Sequence, residues 1–306
     1  MRGTLVRATL FCALLLSVTL GAAAQEGKRV IPIKYTGTLK QIKDSGVIRL
    51  GYRQNSPPFA FLDAKGKPVG YSLDLCDAVV EEIAAELEMD VRVEYVPVTP
   101  ENRLDMVTSG AVDLECGSTT NNFERRKRVA FSPTIFVTGI KLLVPAGSRA
   151  QSLRDLQGRT LVLTRGTYHA DVMPAIVERR KLGITIVTGG DHNESFALLA
   201  SGKADAFAND DVQLYGMLAE TGTGAKYRVI GDFLTYADYA LMFRRDDPEF
   251  AEVVERAFAN RLFASRAIVA IYDKWFMKRL PHGGRLNLPM SPHLEQLFGV
   301  QSARGD

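Results

Sequence analysis

The chain has 306 residues, 46% hydrophobic and 24% charged, with a formal charge of +3. That length suits one large or two medium domains, and the composition is that of an ordinary globular protein. The charge is too weak for a nucleic-acid partner; the one dense basic block, Arg125-Arg126-Lys127-Arg128, reads as a solvated helix face with one ligand residue in it.

The N-terminus reads as a targeting segment. Arg2 and Arg7 form a basic start, Ala8 to Gly21 is an apolar run, and Ala22-Ala23-Ala24 offers small residues for cleavage before Gln25. The run is short for a bilayer span, and Cys12 lies inside it, away from the cleavage point, which argues against a lipid anchor. The expected leader is 1–24. Its removal takes the formal charge from +3 to +1 and leaves an exported, soluble chain.

After a loose stretch to about Gly37, strands and helices alternate. Val47–Tyr52 is the first strand, and Ser56-Pro57-Pro58 forces a turn behind it. Phe59–Leu62 and Val69–Tyr71 flank a hairpin-like turn, and Ser72 is placed to cap a helix. That helix carries the apolar stripe Cys76, Val79, Val80, Ile83 and Leu87. Strands follow at Val91–Val96 and Ala111–Leu114, with a short helix over Glu101–Ser109 between them. Further strands are expected at Ile140–Val144, Thr160–Leu163, Ile184–Val187, Ala204–Ala208 and Tyr239–Phe243. Helices are expected over Tyr168–Lys181 (interrupted early by Pro174), from Asp191 to near Gly202, and over Asp211–Glu220. Asp247-Pro248 then opens a helix with proline at its first position, and Phe250, Val253, Val254, Ala257, Phe258 and Leu262 form its buried stripe. The alternation argues an α/β protein with mainly parallel sheets.

The densest chemistry lies at Glu115-Cys-Gly-Ser-Thr-Thr-Asn-Asn-Phe-Glu-Arg125. A buried strand runs into four small residues whose N–H and hydroxyl groups can approach a ligand closely. Asn121-Asn122-Phe123-Glu124 has capping-box spacing, so a helix starts at about Asn122 with Arg125 in its first turn. Strand, donor-rich turn, helix N-terminus and guanidinium together can hold a carboxylate, although an ordinary turn with a solvated arginine has the same pattern. Cys76 and Cys116 read as small buried hydrophobes, with a disulfide between them left open. No nucleophile elbow, phosphate loop or zinc-protease motif is present. The four histidines, His169, His192, His282 and His293, lack metal-ligand spacing, and no cofactor is expected. Tyr272, Trp275 and Phe276 read as packing residues.

From about Thr38 to Phe298 the chain resembles the solute-binding proteins of bacterial amino-acid ABC transporters, of the glutamate/aspartate type. Gly51-Tyr-Arg53, Val69-Gly-Tyr-Ser72, Asn102-Arg103, the Glu115–Asn122 run with Glu124-Arg125, and Ala130-Phe-Ser132 carry the resemblance. So do Gly166-Thr167, Asp191-His192, Ala206-Phe207 with Asp210-Asp211, and Tyr272–Phe276. The resemblance implies an α/β, two-lobed periplasmic-binding-protein fold, each lobe a mainly parallel sheet flanked by helices. Two crossover strands, near Phe136–Leu142 and Tyr236–Met242, would join the lobes. The implied segments are 25–138 and 239–306 for the first lobe and 139–238 for the second.

The resemblance also implies roles. Arg125 clamps the ligand α-carboxylate, helped by Thr120 and Thr167. Asp210, with Ser118, takes the α-ammonium group, and Asp211 is the helix cap. Arg53, Arg103 and His192 are then surplus cationic groups, which imply a second ligand carboxylate. His192 starts a helix, where the dipole favours the neutral ring. One departure concerns Pro100, which stands where such binders place a serine; Thr99 is expected to supply the hydroxyl, and Arg165 and Tyr168 to reshape the pocket. The implied partners are L-glutamate or L-aspartate and an inner-membrane permease, with the protein a periplasmic monomer. The rival reading from another class is an exported cyclohexadienyl-type dehydratase on the same fold, with Glu115 or His192 as its acid or base. A ligand-sensing module for a membrane receptor is a third.

Overall fold

The computed structural model describes residues 34–302; the expected leader and the Arg304–Asp306 end lie outside them. The described chain opens on a helix, α1 (Gly37–Ser45), that is absent from the expected elements. Periodicity does not announce it: its buried face is Thr38, Leu39 and Ile42. Tertiary contacts fix it instead, since Asp247 accepts from both the Thr38 N–H at 2.8 Å and its hydroxyl at 2.6 Å.

The first lobe begins with β1 (Val47–Tyr52) and a small antiparallel sheet of β2 (Asn55–Ser56), β3 (Ala60–Leu62) and β4 (Pro68–Val69). Helix α2 (Tyr71–Leu87) follows, and its Cys76, Val79, Ile83 and Leu87 are buried as their spacing requires. Ser72 does not cap it. The cap is Gly70, and the Ser72 hydroxyl donates to the Gly117 carbonyl at 2.8 Å, tying α2 to the turn after the third strand of the sheet. Then come β5 (Arg92–Pro97), α3 (Arg103–Thr108), β6 (Leu114–Glu115), α4 (Phe123–Arg126) and β7 (Val129–Phe131).

A long strand, β8 (Phe136–Pro145), carries the chain into the second sheet. There β9 (Thr160–Thr164), α5 (Tyr168–Arg179), β10 (Thr185–Gly189), α6 (His192–Ala200), β11 (Ala206–Asp210), α7 (Asp211–Thr221) and β12 (Tyr227–Ile230) alternate. Leu161 and Leu163 of β9 face one apolar cluster and Val162 the other, so both faces of the sheet are covered by helices. That explains the unbroken apolar run in this strand; each such side chain stabilises by about 1.5–3 kcal/mol relative to exposure. Pro174 does not interrupt α5, which runs on to Arg179 with Met173, Ile176 and Val177 anchored in the core.

The chain returns through β13 (Tyr236–Tyr239), antiparallel to β8 from Tyr236 opposite Gly139 to Tyr239 opposite Phe136. These are the two crossover strands that join the lobes. The strand expected over Tyr239–Phe243 is split. β13 ends at Tyr239, and β14 (Met242–Arg244) begins a new pairing between β6 and β7. Helix α8 (Pro248–Arg256), π-helical turns over Ala257–Ala264, α9 (Ala267–Tyr272), further π turns over Asp273–Met277 and α10 (Pro292–Ser302) complete the described chain. Tyr272, Trp275 and Phe276 pack in the first lobe's core, as expected.

The sheet orders are β5-β1-β6-β14-β7 and β10-β9-β11-β8-β12. Strands linked by helices pair in parallel, whereas β8 and β14 pair antiparallel with their neighbours. The antiparallel half of each sheet is thus where the chain passes between lobes. Cys76 and Cys116 form a disulfide with their Cα atoms 6.2 Å apart. This corrects the reading of two separate buried hydrophobes, which spacing along the chain could not test.

Candidate functional site

The turn after β6 is built for close approach. A Cβ on Gly117 would stand 2.2 Å from Glu115 Oε1, so a larger residue would displace that carboxylate. Asn122 caps α4 by accepting from the Arg125 N–H at 2.9 Å, which fixes Arg125 in the first turn as expected. On the second lobe, Thr167 caps α5 and Asp191 caps α6 through their side chains. Asp211 is not the cap of α7 as expected: Asp210 holds the N-cap position without a side-chain cap bond, and Asp211, the first helical residue, accepts from the Val212 N–H at 2.8 Å.

Both lobes then contribute to one buried cavity. It is lined by Arg53, Arg103, Ser118, Thr120 and Tyr239 on one side, and by Thr167, Tyr168, His169, His192, Asn209 and Asp210 on the other. Seven of the eight residues anticipated from the sequence meet there. Arg125 is buried beside the cavity and does not line it. Its guanidinium donates to the Thr120 carbonyl at 3.0 Å and reaches the Gly166 carbonyl, across the cleft, at 3.5 Å. The cavity is narrow, about 10 Å³.

The electrostatics are those of a site short of anions. Arg53 and Arg103 are 1% and 3% exposed. Burial, and then the charge of Arg103, push the Arg53 guanidinium down to about 9 and Arg125 down to about 10. Burial lowers Arg103 as well, opposed by Glu115. Arg103 donates to the Thr119 hydroxyl at 2.8 Å, which donates to Glu115 Oε2 at 2.7 Å. Arg103 Nε has no partner among the described residues. Three desolvated guanidinium groups with spare N–H donors are costly unless an anion joins them.

His192 is held well below the ordinary imidazole range, first by burial and then by Arg53. It is therefore neutral near pH 7. Asp210 N–H donates to Asn209 Oδ1 at 2.9 Å, which turns the Asn209 NH₂ toward His192 Nδ1 at 3.4 Å. Nδ1 accepts, so the proton sits on Nε2, and a neutral His192 still offers an N–H donor.

Several residues escaped the sequence reading. Thr119 orients Arg103, and its place inside the run of small residues was the available signal. Tyr239, whose hydroxyl burial and Asp210 hold well above its ordinary range, donates to the Asp210 carboxylate. His169 stands 3.1 Å from Asp210 Oδ2. Thr99 does not replace the hydroxyl absent at Pro100. It is exposed and exchanges hydrogen bonds with Asn102 at 2.8 and 3.1 Å. Tyr168 does line the cavity, and Arg165 reaches Glu101 of the first lobe at 3.4 Å.

A family model described as bacterial extracellular solute-binding proteins, family 3, matches residues 48–278. The chain belongs to this family.

Its members at higher identity are informative about type. The chain is 42% identical over 272 residues to the L-glutamate/L-aspartate-binding protein of Pseudomonas aeruginosa, covering 88% of this chain and 90% of that one. It is 36% identical over 263 residues to the glutamate/aspartate import solute-binding protein of Escherichia coli, covering 85% and 87%. Among solved structures, an ancestral arginine-binding protein bound to arginine matches with a TM-score of 0.68 and 26% identity, covering 76% of this chain and 98% of that one. This family 3 protein is thus a solute-binding protein of the amino-acid transport type and not an enzyme.

Proposed function

We propose that the protein is the exported binding component of an ABC transporter for acidic amino acids, trapping L-glutamate or L-aspartate between its lobes. One observation carries this reading: Arg53, Arg103 and the adjoining Arg125 are gathered around one buried cavity with Asp210. With Glu115 set against one guanidinium through Thr119, an α-carboxylate, an α-ammonium and a second carboxylate complement that set charge for charge. A neutral amino acid would leave a buried guanidinium unmatched.

In this reading Arg125 and the Thr120 and Thr167 N–H groups take the α-carboxylate. The Thr167 hydroxyl is not available to help, because its proton goes to the Thr164 carbonyl at 2.6 Å. Asp210 and Ser118 take the ammonium group. Arg53, Arg103 and the His192 Nε2–H take the side-chain carboxylate. Residues 25–138 and 239–306 form the first lobe and 139–238 the second, after a leader of 1–24 is removed on the way to the periplasm. The cavity is too narrow for an amino acid as it stands, so entry requires the lobes to part about β8 and β13. The ligand then favours closure by touching both sides, and a membrane permease receives the closed form. The dehydratase rival needs an acid or base at the ligand. Glu115 is not among the lining residues and is hydrogen-bonded to Thr119 behind them.

The test is calorimetric titration of the ligand-stripped mature protein with glutamate, aspartate, glutamine and asparagine. Tight binding of the acids and weak binding of their amides is expected. Comparable affinity for glutamate and glutamine would overturn the acidic reading.

A further inference from the structure

His169 is 4% exposed and stands at the ammonium end of the cavity. Its ring is fixed by an unusual hydrogen-bond sequence. The Thr167 hydroxyl lies 2.6 Å from the Thr164 carbonyl, an acceptor with no proton of its own, so the hydroxyl proton lies between them. Thr167 Oγ1 can then only accept, and it does so from the Ala170 N–H at 3.3 Å and from His169 Nδ1 at 2.9 Å. His169 Nδ1 must therefore carry a proton. The state of Nε2 decides the charge of the ring.

Nε2 lies 3.1 Å from Asp210 Oδ2, yet its geometry there is not that of a hydrogen bond, and no other group among the described residues satisfies it. Asp210 Oδ1 is likewise buried without a partner among the described residues, while Oδ2 accepts from Tyr239. Two buried polar atoms, one imidazole nitrogen and one carboxylate oxygen, thus lack partners at the same place. A protonated amine supplies donors for both, provided that Nε2 presents its lone pair.

We propose that His169 is a ligand-binding residue, its Nε2 lone pair accepting the α-ammonium group beside Asp210. The inference rests on the amino-acid reading of the cavity. The charge balance agrees. Arg53, Arg103 and Arg125 against Glu115 and Asp210 leave one positive charge, which a dicarboxylic amino acid neutralises only if His169 is neutral.

The experiment is titration calorimetry of the whole protein and its His169 variants with L-glutamate. His169→Phe, which keeps the ring bulk and removes the acceptor, should weaken glutamate by about tenfold or more. His169→Gln, whose amide oxygen can stand where Nε2 does, should retain most of the affinity. Unchanged glutamate affinity in His169→Phe, or equal losses in both variants, would overturn the proposal while leaving the acidic amino-acid reading standing. Absence of glutamate and aspartate binding to the unaltered protein would remove that reading, and the proposal with it.

Discussion

Arg103 is the side chain on which ligand preference should turn. It is buried, held by Thr119, and keeps one donor unpartnered. Arg103→Ala should weaken glutamate by 2–5 kcal/mol, roughly 30-fold or more, and glutamine far less, as read by titration with both. Equal losses would move the side-chain role away from Arg103. Arg125→Ala should instead remove binding of acids and amides alike; retained glutamate affinity would sink the clamp assignment. Arg53, Ser118, Thr120, Thr167, His192 and Asp210 were expected through the resemblance, by the motifs that carry it, and all six line one cavity. Thr119, Tyr239 and His169 were not expected. Their roles arise from contacts with Arg103 and Asp210, which are distant in sequence.

At the scale of elements, the disulfide and the glycine of the second-lobe turn are the points to test. Cys76 and Cys116 lie 40 residues apart. Closing a loop of that length restricts the unfolded chain by about 4 kcal/mol in the chain-entropy model. Reduction, or the Cys76→Ala/Cys116→Ala pair, should lower the denaturant midpoint accordingly and leave ligand preference unchanged. Gly166 has φ +69°, and a Cβ there would stand 2.6 Å from the Pro100 carbonyl carbon and the Glu101 nitrogen. Gly166→Ala should hold the lobes apart and weaken all ligands by tenfold or more, with scattering showing a wider particle in saturating glutamate. Strands such as β9 were legible because burial on both faces leaves an unbroken apolar run. Helix α1 and the break between β13 and β14 were not. The first is held by Asp247 and the second by its new partners β6 and β7, and neither leaves a local pattern.

At the scale of the whole described chain, residues 34–302 form a pair of α/β lobes whose two linking strands lie side by side. The resemblance made that arrangement legible, since alternation alone does not say which strands share a sheet. The position of β14 has a consequence for the order in which the protein can assemble. Strands β6 and β7 are complete by Phe131, yet they do not touch in the finished sheet, because Met242–Arg244 lies between them. A chain growing from its N-terminus reaches that missing slat only after the second lobe has been laid down. Until then the first sheet has an open slot, with unpaired N–H and C=O groups on both sides. A fragment ending before Met242 should therefore stay protease-sensitive throughout residues 37–135, whereas one extending through Phe276 should resist. Late arrival of one three-residue strand would thus keep the first half of the chain pliable until almost all of it has been made.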